Sequence, residues 1–202
     1  MANIQKNIED DIQKNEKIID IWGRRNPRFE KKYETSVMRI ISDYGVGASA
    51  STSAKGKVLG AGYEVYVLAF FIGLYANKKL PLSKFSDDLK PFGQPLQFWG
   101  NLDSKKGRKA YSGLRSYIFC ALVAKTDVDW IALDKGLISV SSVVSKLIET
   151  MEEYANYGLA VMEEKLNKDK SYFFTSKAFL DIFLQLTSPK DNVDTVTAAE
   201  EL

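Results

Sequence analysis

Histidine is absent from this sequence of 202 residues, and cysteine occurs once, as Cys120. Without histidine, the chain lacks the usual general base near neutral pH, the Ser–His and Cys–His nucleophile pairs, and the imidazole ligands of most zinc and non-haem iron sites. A single cysteine excludes an internal disulfide, and its place in the apolar run RSYIFCALVA predicts a small buried side chain rather than a nucleophile. We therefore expect no metal, no cofactor and, on balance, no catalytic residues.

Long hydrophobic runs are also missing. The best candidate for a membrane span, 58–76, is interrupted by Glu64 and leaves about twelve uninterrupted apolar residues, whereas spanning a bilayer takes about 20. The opening residues, MANIQKNIEDDIQKNEK, are polar and charged and contain no apolar core of the kind that a secretory signal needs. We expect a cytoplasmic protein without a membrane partner.

The sequence is rich in helical periodicity. Apolar residues recur at intervals of three and four along most of the chain, which is typical of amphipathic helices. This spacing predicts an all-α fold, a single-domain bundle of about six helices, in which a central helix at 63–76 is apolar on nearly every side. The other helices are predicted at 3–23, 29–44, 105–125, 141–167 and 179–186.

The stretch WIALDKGLIS, residues 130–139, fits two local structures. Asp134-Lys135-Gly136 is a plausible turn between two apolar triplets, which would give one short β-hairpin near 131–139. A simple loop between helices fits the same residues equally well.

Glycine and serine are concentrated in YGVGASASTSAKGKVLGAG, residues 44–62. The Walker phosphate loop needs glycine where Ser51 stands and a hydroxyl where Val58 stands. The dinucleotide fingerprint needs a helix to open within ASASTSAKGK, which offers no apolar face to bury. We predict a flexible Gly/Ser loop at 45–61, with an anion-binding loop that uses Lys55 and Lys57 as the alternative.

The domain prediction follows from the distribution of apolar residues. Residues 1–188 are predicted to form a single helical domain around one core. The segment 189–202 has too little apolar surface to pack against that core, so we predict a disordered tail.

Charge is distributed unevenly, although the net charge is only +2. From Arg24 to Arg115 there are 17 Lys and Arg against 7 Asp and Glu, whereas the rest of the chain has 11 against 19. Such asymmetry within one domain indicates a polyanion partner. Two clusters, GRRNPRFEKK and SKKGRKAYSGLRSY, concentrate the cations, and the second adds an aromatic ring for base stacking. The candidate nucleic-acid-binding residues are Arg24, Arg25, Arg28, Lys31, Lys32, Lys105, Lys106, Arg108, Lys109, Tyr111 and Arg115.

These observations favour a non-catalytic accessory protein that contacts nucleic acid or another polyanion through a basic surface. One alternative is a protein–protein interaction or oligomerisation module whose basic face meets an acidic protein, so that the chain forms an oligomer or a hetero-complex. A second alternative is a magnesium-dependent helical phosphohydrolase, since glutamates recur at helical spacing at 149, 152, 153, 163 and 164. Their first motif, E-x-x-E, is similar to that of the helical nucleotide pyrophosphohydrolases. The second motif of that family ends in Asp where this chain has Asn167, and both carboxylate pairs are predicted on one helix.

Overall fold

The computed structural model describes residues 17–44, 59–100, 111, 113–175 and 177–187. These residues form a mainly helical bundle, which confirms the predicted all-α fold. The α-helices, in chain order, are α1 Ile18–Gly23, α2 Arg39–Ile41, α3 Gly62–Ala76, α4 Leu114–Lys125, α5 Trp130–Asp134, α6 Val140–Lys168 and α7 Ala178–Thr187. A π-helical segment, Glu34–Met38, runs directly into α2, and 3₁₀ turns lie at Ser86–Asp88, Leu96–Phe98 and Tyr172–Phe174. Among the helices described, none combines the length and apolarity that crossing a bilayer requires.

The core is built on the packing of α3 against α6. The two helices run in opposite directions, and each contributes a glycine where their backbones touch. A Cβ at Gly158 would lie 1.9 Å from the carbonyl oxygen of Ala69, and one at Gly73 would lie 2.2 Å from that of Tyr154. Only glycine fits at such distances, because real Cβ atoms do not approach backbone oxygens so closely. The run of apolar residues therefore correctly predicted a buried, central helix at 63–76.

An aromatic cluster fixes residues 92–99 against the first half of α3. Trp99 stacks on Tyr63 with ring centroids 5.8 Å apart, and it meets Tyr66 and Phe92 edge-on at 5.5 and 5.2 Å. Trp99 is 2% exposed. These ring contacts hold Gly100, the next residue, in a defined position at the edge of the bundle.

The strands of the described residues form one short antiparallel pair. β1, Arg28–Glu30, pairs with β2, Leu89–Pro91, so that Phe29 lies opposite Lys90. The predicted helix at 29–44 is therefore wrong at its start, because pairing with a distant segment overrides the local helical period. The strand pair is also not the hairpin suggested near 131–139.

Residues 130–139 contain a helix followed by a turn. The side chain of Asp129 accepts a hydrogen bond of 2.8 Å from the backbone N of Ala132 and so caps the start of α5. Gly136, with φ of +70°, then ends the turn. The prediction of a β-hairpin near 131–139 is therefore wrong, because the residues predicted to form its first strand belong to the capped helix α5.

The helix predicted at 105–125 begins at Leu114 instead. Tyr111 is not helical, and Gly113 has a φ of +85° directly before α4, a left-handed conformation that glycine adopts most readily. Cys120 is exposed, contrary to the prediction, because α4 turns Ile118 and Leu122 toward the core.

Several predictions fall outside the described residues. They concern the first helix before residue 17, nearly all of the loop at 45–61, the cations Lys105, Lys106, Arg108 and Lys109, and the tail at 189–202. The longest predicted helix, 141–167, is confirmed by α6, and the last one by α7.

Candidate polyanion-binding surface

Cations from the two sequence clusters meet where the end of α1 lies against the start of α4. The position that a Cβ would take at Gly23 is 3.5 Å from Nη1 of Arg115, so the guanidinium lies directly over this glycine. Arg24 and Arg25 follow Gly23 in the chain and are exposed. We call Arg24, Arg25 and Arg115 the arginine corner. It joins residues that are about ninety positions apart in the sequence.

The backbone that carries Arg24 and Arg25 is held firmly. The carbonyl of Arg25 accepts a hydrogen bond of 3.1 Å from the N–H of Leu96, and that of Pro27 accepts one of 2.8 Å from Phe92. Asn26 donates through Nδ2 to the carbonyl of Phe92 at 2.6 Å. These hydrogen bonds keep the arginines of this loop on one edge of the bundle. The two arginines also follow the C-terminus of α1, where the helix dipole favours cations.

Arg115 is only weakly engaged by the protein itself. Its Nη2 lies 3.5 Å from Oδ1 of Asp20, and the two side chains are 37% and 43% exposed. Exposed pairs of this kind contribute roughly 0–1 kcal/mol. The pair with Asp20 therefore contributes little to holding the Arg115 side chain in place.

Tyr111, from the second cluster, is bonded to the last described residue before 101–110. The N–H of Tyr111 donates to the carbonyl of Gly100 at 2.9 Å, so the described residues on either side of 101–110 are bonded to each other. Tyr111 is 51% exposed and lies four residues before Arg115. The four cations Lys105, Lys106, Arg108 and Lys109 lie between Gly100 and Tyr111 in the sequence and outside the described residues.

Two other cations of the first cluster form ion pairs with carboxylates. Arg28 donates to Glu152 from its backbone N, Nε and Nη2 at 2.8, 3.2 and 2.9 Å. The carboxylate of Glu152 is 2% exposed, and its hydrogen bond raises the pKa of Arg28 above the ordinary value. Lys32 pairs with Oε2 of Glu30 at 2.6 Å. Arg28 and Lys32 therefore make ion pairs within the fold, while their side chains stay 52% and 56% exposed.

Glu30 lies at the centre of a second set of polar contacts. Its Oε1 accepts hydrogen bonds from the backbone N of Ser83 and from Nδ2 of Asn156, both at 3.1 Å. Burial alone would raise the pKa of Glu30, but the hydrogen bonds from Lys32 and Asn156 outweigh burial and keep this pKa below its ordinary value. We call Arg28, Glu30, Lys32, Glu152 and Asn156 the buried polar network.

Lys31 is exposed but lies among acids. It borders a surface cleft of about 440 Å³ together with Asp87 and Asp88. Its backbone N–H donates to the carbonyl of Asp88 at 2.7 Å. The first cluster therefore divides in part: Arg24 and Arg25 directly follow Gly23, which Arg115 contacts, whereas the remaining three cations lie beside carboxylates. Arg25 also borders the cleft that contains Glu149 and Glu152.

The glutamates of α6 do not form a metal site. Glu149 and Glu152 border a polar cleft of about 480 Å³ that also contains Arg25, but Glu152 is held by Arg28. Glu164 pairs with Lys168 at 2.5 Å on the exposed side of the helix. Within the described parts of the chain, no group of three or more potential ligands from His, Cys, Asp and Glu is close enough to hold a metal ion.

The buried polar network was not anticipated from the sequence, although a signal for it exists. Glu152 and Asn156 are one turn apart and border the apolar stripe of the predicted helix at 141–167. Both are almost fully buried. Polar side chains at such positions need partners from elsewhere in the chain, and β1 supplies them.

Comparison of the chain with family models, with curated proteins and with solved structures gave no match.

Proposed function

We propose that this chain is a non-catalytic accessory protein that binds nucleic acid through a basic surface. In the described residues that surface consists of the arginine corner and Tyr111, and we expect the cations of 101–110 to contribute to binding. The observation that carries the proposal is the contact of Arg115 with Gly23, which joins two basic stretches that are far apart in the sequence.

The chemistry of the arginine corner suits a phosphate backbone. Arginine presents several N–H donors in a fixed fork that matches phosphate oxygens. The loop that carries Arg24 and Arg25 is fixed by backbone hydrogen bonds to Phe92 and Leu96, so few backbone degrees of freedom are lost on binding. Tyr111 adds a half-exposed ring that could stack on an unpaired base. These contacts favour binding that is electrostatic and tolerant of sequence.

The test compares the wild type with the variant Arg25→Glu/Arg115→Glu by fluorescence anisotropy on a labelled oligonucleotide across a salt series. We expect the wild type to bind at about 50 mM salt, with an affinity that falls as salt rises because bound cations release counterions. The variant should bind at least about tenfold more weakly, and its salt slope should be smaller by about 2, one for each lost phosphate contact.

A matched control reverses two cations far from the arginine corner. Lys168 and Lys170 are exposed at the end of α6, sixteen or more residues beyond Glu152, or about 24 Å along the helix axis. Lys168→Glu/Lys170→Glu changes the net charge equally but should leave the salt slope unchanged. A variant with Lys105→Glu and Arg108→Glu should behave like the arginine-corner variant. Absence of binding by the wild type at low salt, or an equal loss in the control, would refute the proposal.

A further inference from the structure

An apolar groove runs along the outward side of α3. Leu68 lines two adjoining cavities, one of about 270 Å³ toward Tyr111 and one of about 340 Å³ toward Phe183. The second cavity has Leu68, Phe71 and Tyr75 on α3 as one wall and Phe183 on α7 as the other. The rings of Tyr75 and Phe183 touch, with centroids 5.3 Å apart. We call this second cavity the α3–α7 groove.

A ridge of leucines stands directly beside this groove. Leu180 and Leu184 are one helical turn apart on α7 and are 55% and 54% exposed. Successive residues advance by about 100° around a helix, so Leu180 is the neighbour of Phe183 on the surface of α7. Apolar surface therefore continues from Tyr75, which is 57% exposed, across Phe183 to the two leucines. This ridge is independent of the arginine corner.

We infer that a second copy of this chain docks here, with the leucine ridge of each copy in the α3–α7 groove of the other. A ridge next to a groove on one face is self-complementary under a two-fold axis, which is the geometry of an isologous dimer. The charges that border the ridge favour a second copy of this chain as the partner, and not a protein of strong charge. Lys177 and Asp181 are both exposed, one of each sign, so two such faces do not repel each other.

The exposed apolar area sets the expected strength of this contact. Tyr75, Leu180 and Leu184 together present on the order of 300 Å² of apolar surface, which is the lower end of the size of the largest patch on a typical monomer, a patch that is often functional. A standard interface covers about 800 Å² on each partner, so the ridge would be its apolar centre and polar residues its rim. We therefore expect a reversible dimer with a dissociation constant in the micromolar range.

The experiment is sedimentation equilibrium of the full chain from about 1 to 200 µM, a range that brackets micromolar affinity. The wild type should reach twice the monomer mass. The variant Leu180→Gln/Leu184→Gln should raise the dissociation constant at least about 100-fold. The control Phe85→Gln/Leu137→Gln also removes two exposed apolar side chains, each 74% exposed, and should still form the dimer.

A complementation test decides whether the ridge enters the groove. Tyr75→Glu places a carboxylate in the groove and should also give a monomer. Mixed with the leucine variant, it should form a heterodimer, because one intact ridge then meets one intact groove. A wild type that stays monomeric at about 200 µM, a dimer that survives the leucine substitutions, or two variants that do not associate when mixed would each overturn the inference.

Discussion

The carboxylate of Glu152, which pairs with the half-exposed guanidinium of Arg28, is the most buried partner in any ion pair given for the described residues. The side chain of Glu152 is 2% exposed. Its carboxylate accepts three hydrogen bonds from Arg28. Replacing Arg28 by alanine would leave a buried carboxylate with only a backbone N–H as its partner. Breaking a buried pair from one side costs about 3–5 kcal/mol. We expect Arg28→Ala to lower the free energy of unfolding by about 3 kcal/mol.

Urea denaturation followed by circular dichroism measures this loss, and Arg25→Ala is the matched control. Arg25 lies three positions earlier and its side chain is exposed, so its removal should change the free energy of unfolding by less than about 0.5 kcal/mol. Equal stability of the two variants would show that the contact with Glu152 contributes little. The same comparison separates a structural arginine from one that we assign to nucleic-acid binding.

At the scale of the element, the contact between α3 and α6 depends on two glycines. A Cβ at Gly158 would lie 1.9 Å from the carbonyl oxygen of Ala69, so alanine there must push the two helices apart. Overpacking of this kind costs about 1–3 kcal/mol and sometimes more. We expect Gly158→Ala to lower the free energy of unfolding by about 3 kcal/mol or to prevent folding.

The control for this substitution is Gly93→Ala. No atom lies within 4 Å of a Cβ at Gly93, and its φ is not among the positive ones, so alanine should be neutral or slightly stabilising. Thermal melts of the two variants provide the measurement. If Gly158→Ala has the same melting temperature as the wild type, the close approach of the two helices does not limit stability.

Helices whose burial follows from their own residues could be predicted from the sequence, and elements set by distant partners could not. The period of apolar residues located α6 and α7, and a continuous apolar run located α3. The apolar period over 29–44 predicted a helix from residue 29, but Phe29 lies in β1, where it pairs with Lys90 of β2. The start of α4 was missed because Gly113 takes a left-handed conformation that composition does not reveal.

At the scale of the whole molecule, the count of charged residues located a basic region in the sequence. It did not predict which of those cations lie together and which pair with acids. The asymmetry between 24–115 and the rest of the chain is visible in the sequence. The division of the first cluster depends on which acids the fold brings close. Glu152 reaches Arg28 across 124 positions, whereas Arg115 reaches Gly23 across about ninety. Such pairings are set by tertiary packing, so the arginine corner could be recognised only once α1 and α4 were placed.

Acid stability also belongs to the whole molecule, because the chain has no histidine to titrate between pH 5 and 8. Hydrogen bonds hold the pKa of Glu30 and that of Glu34 below the ordinary value of 4.5. The folded state then binds fewer protons than the unfolded state near this pH, so stability is present above it and is lost as pH falls through the lowered values. We expect melting temperatures to be nearly constant from about pH 6 to 8 and to drop below about pH 4.5.

Glu30 should account for a measurable part of that drop, because its carboxylate is nearly buried and holds Ser83, Asn156 and Lys32 together. Glu30→Gln should lower the melting temperature at pH 7 and flatten its decline between about pH 5 and 3, since the group that titrates is gone. Glu164→Gln removes a carboxylate whose pKa is also lowered, by Lys168, but that pair is exposed on both sides, so the acid slope should stay that of the wild type. Equal slopes in all three proteins would mean that acid unfolding is governed by other carboxylates and that the buried polar network keeps its strength when Glu30 is protonated.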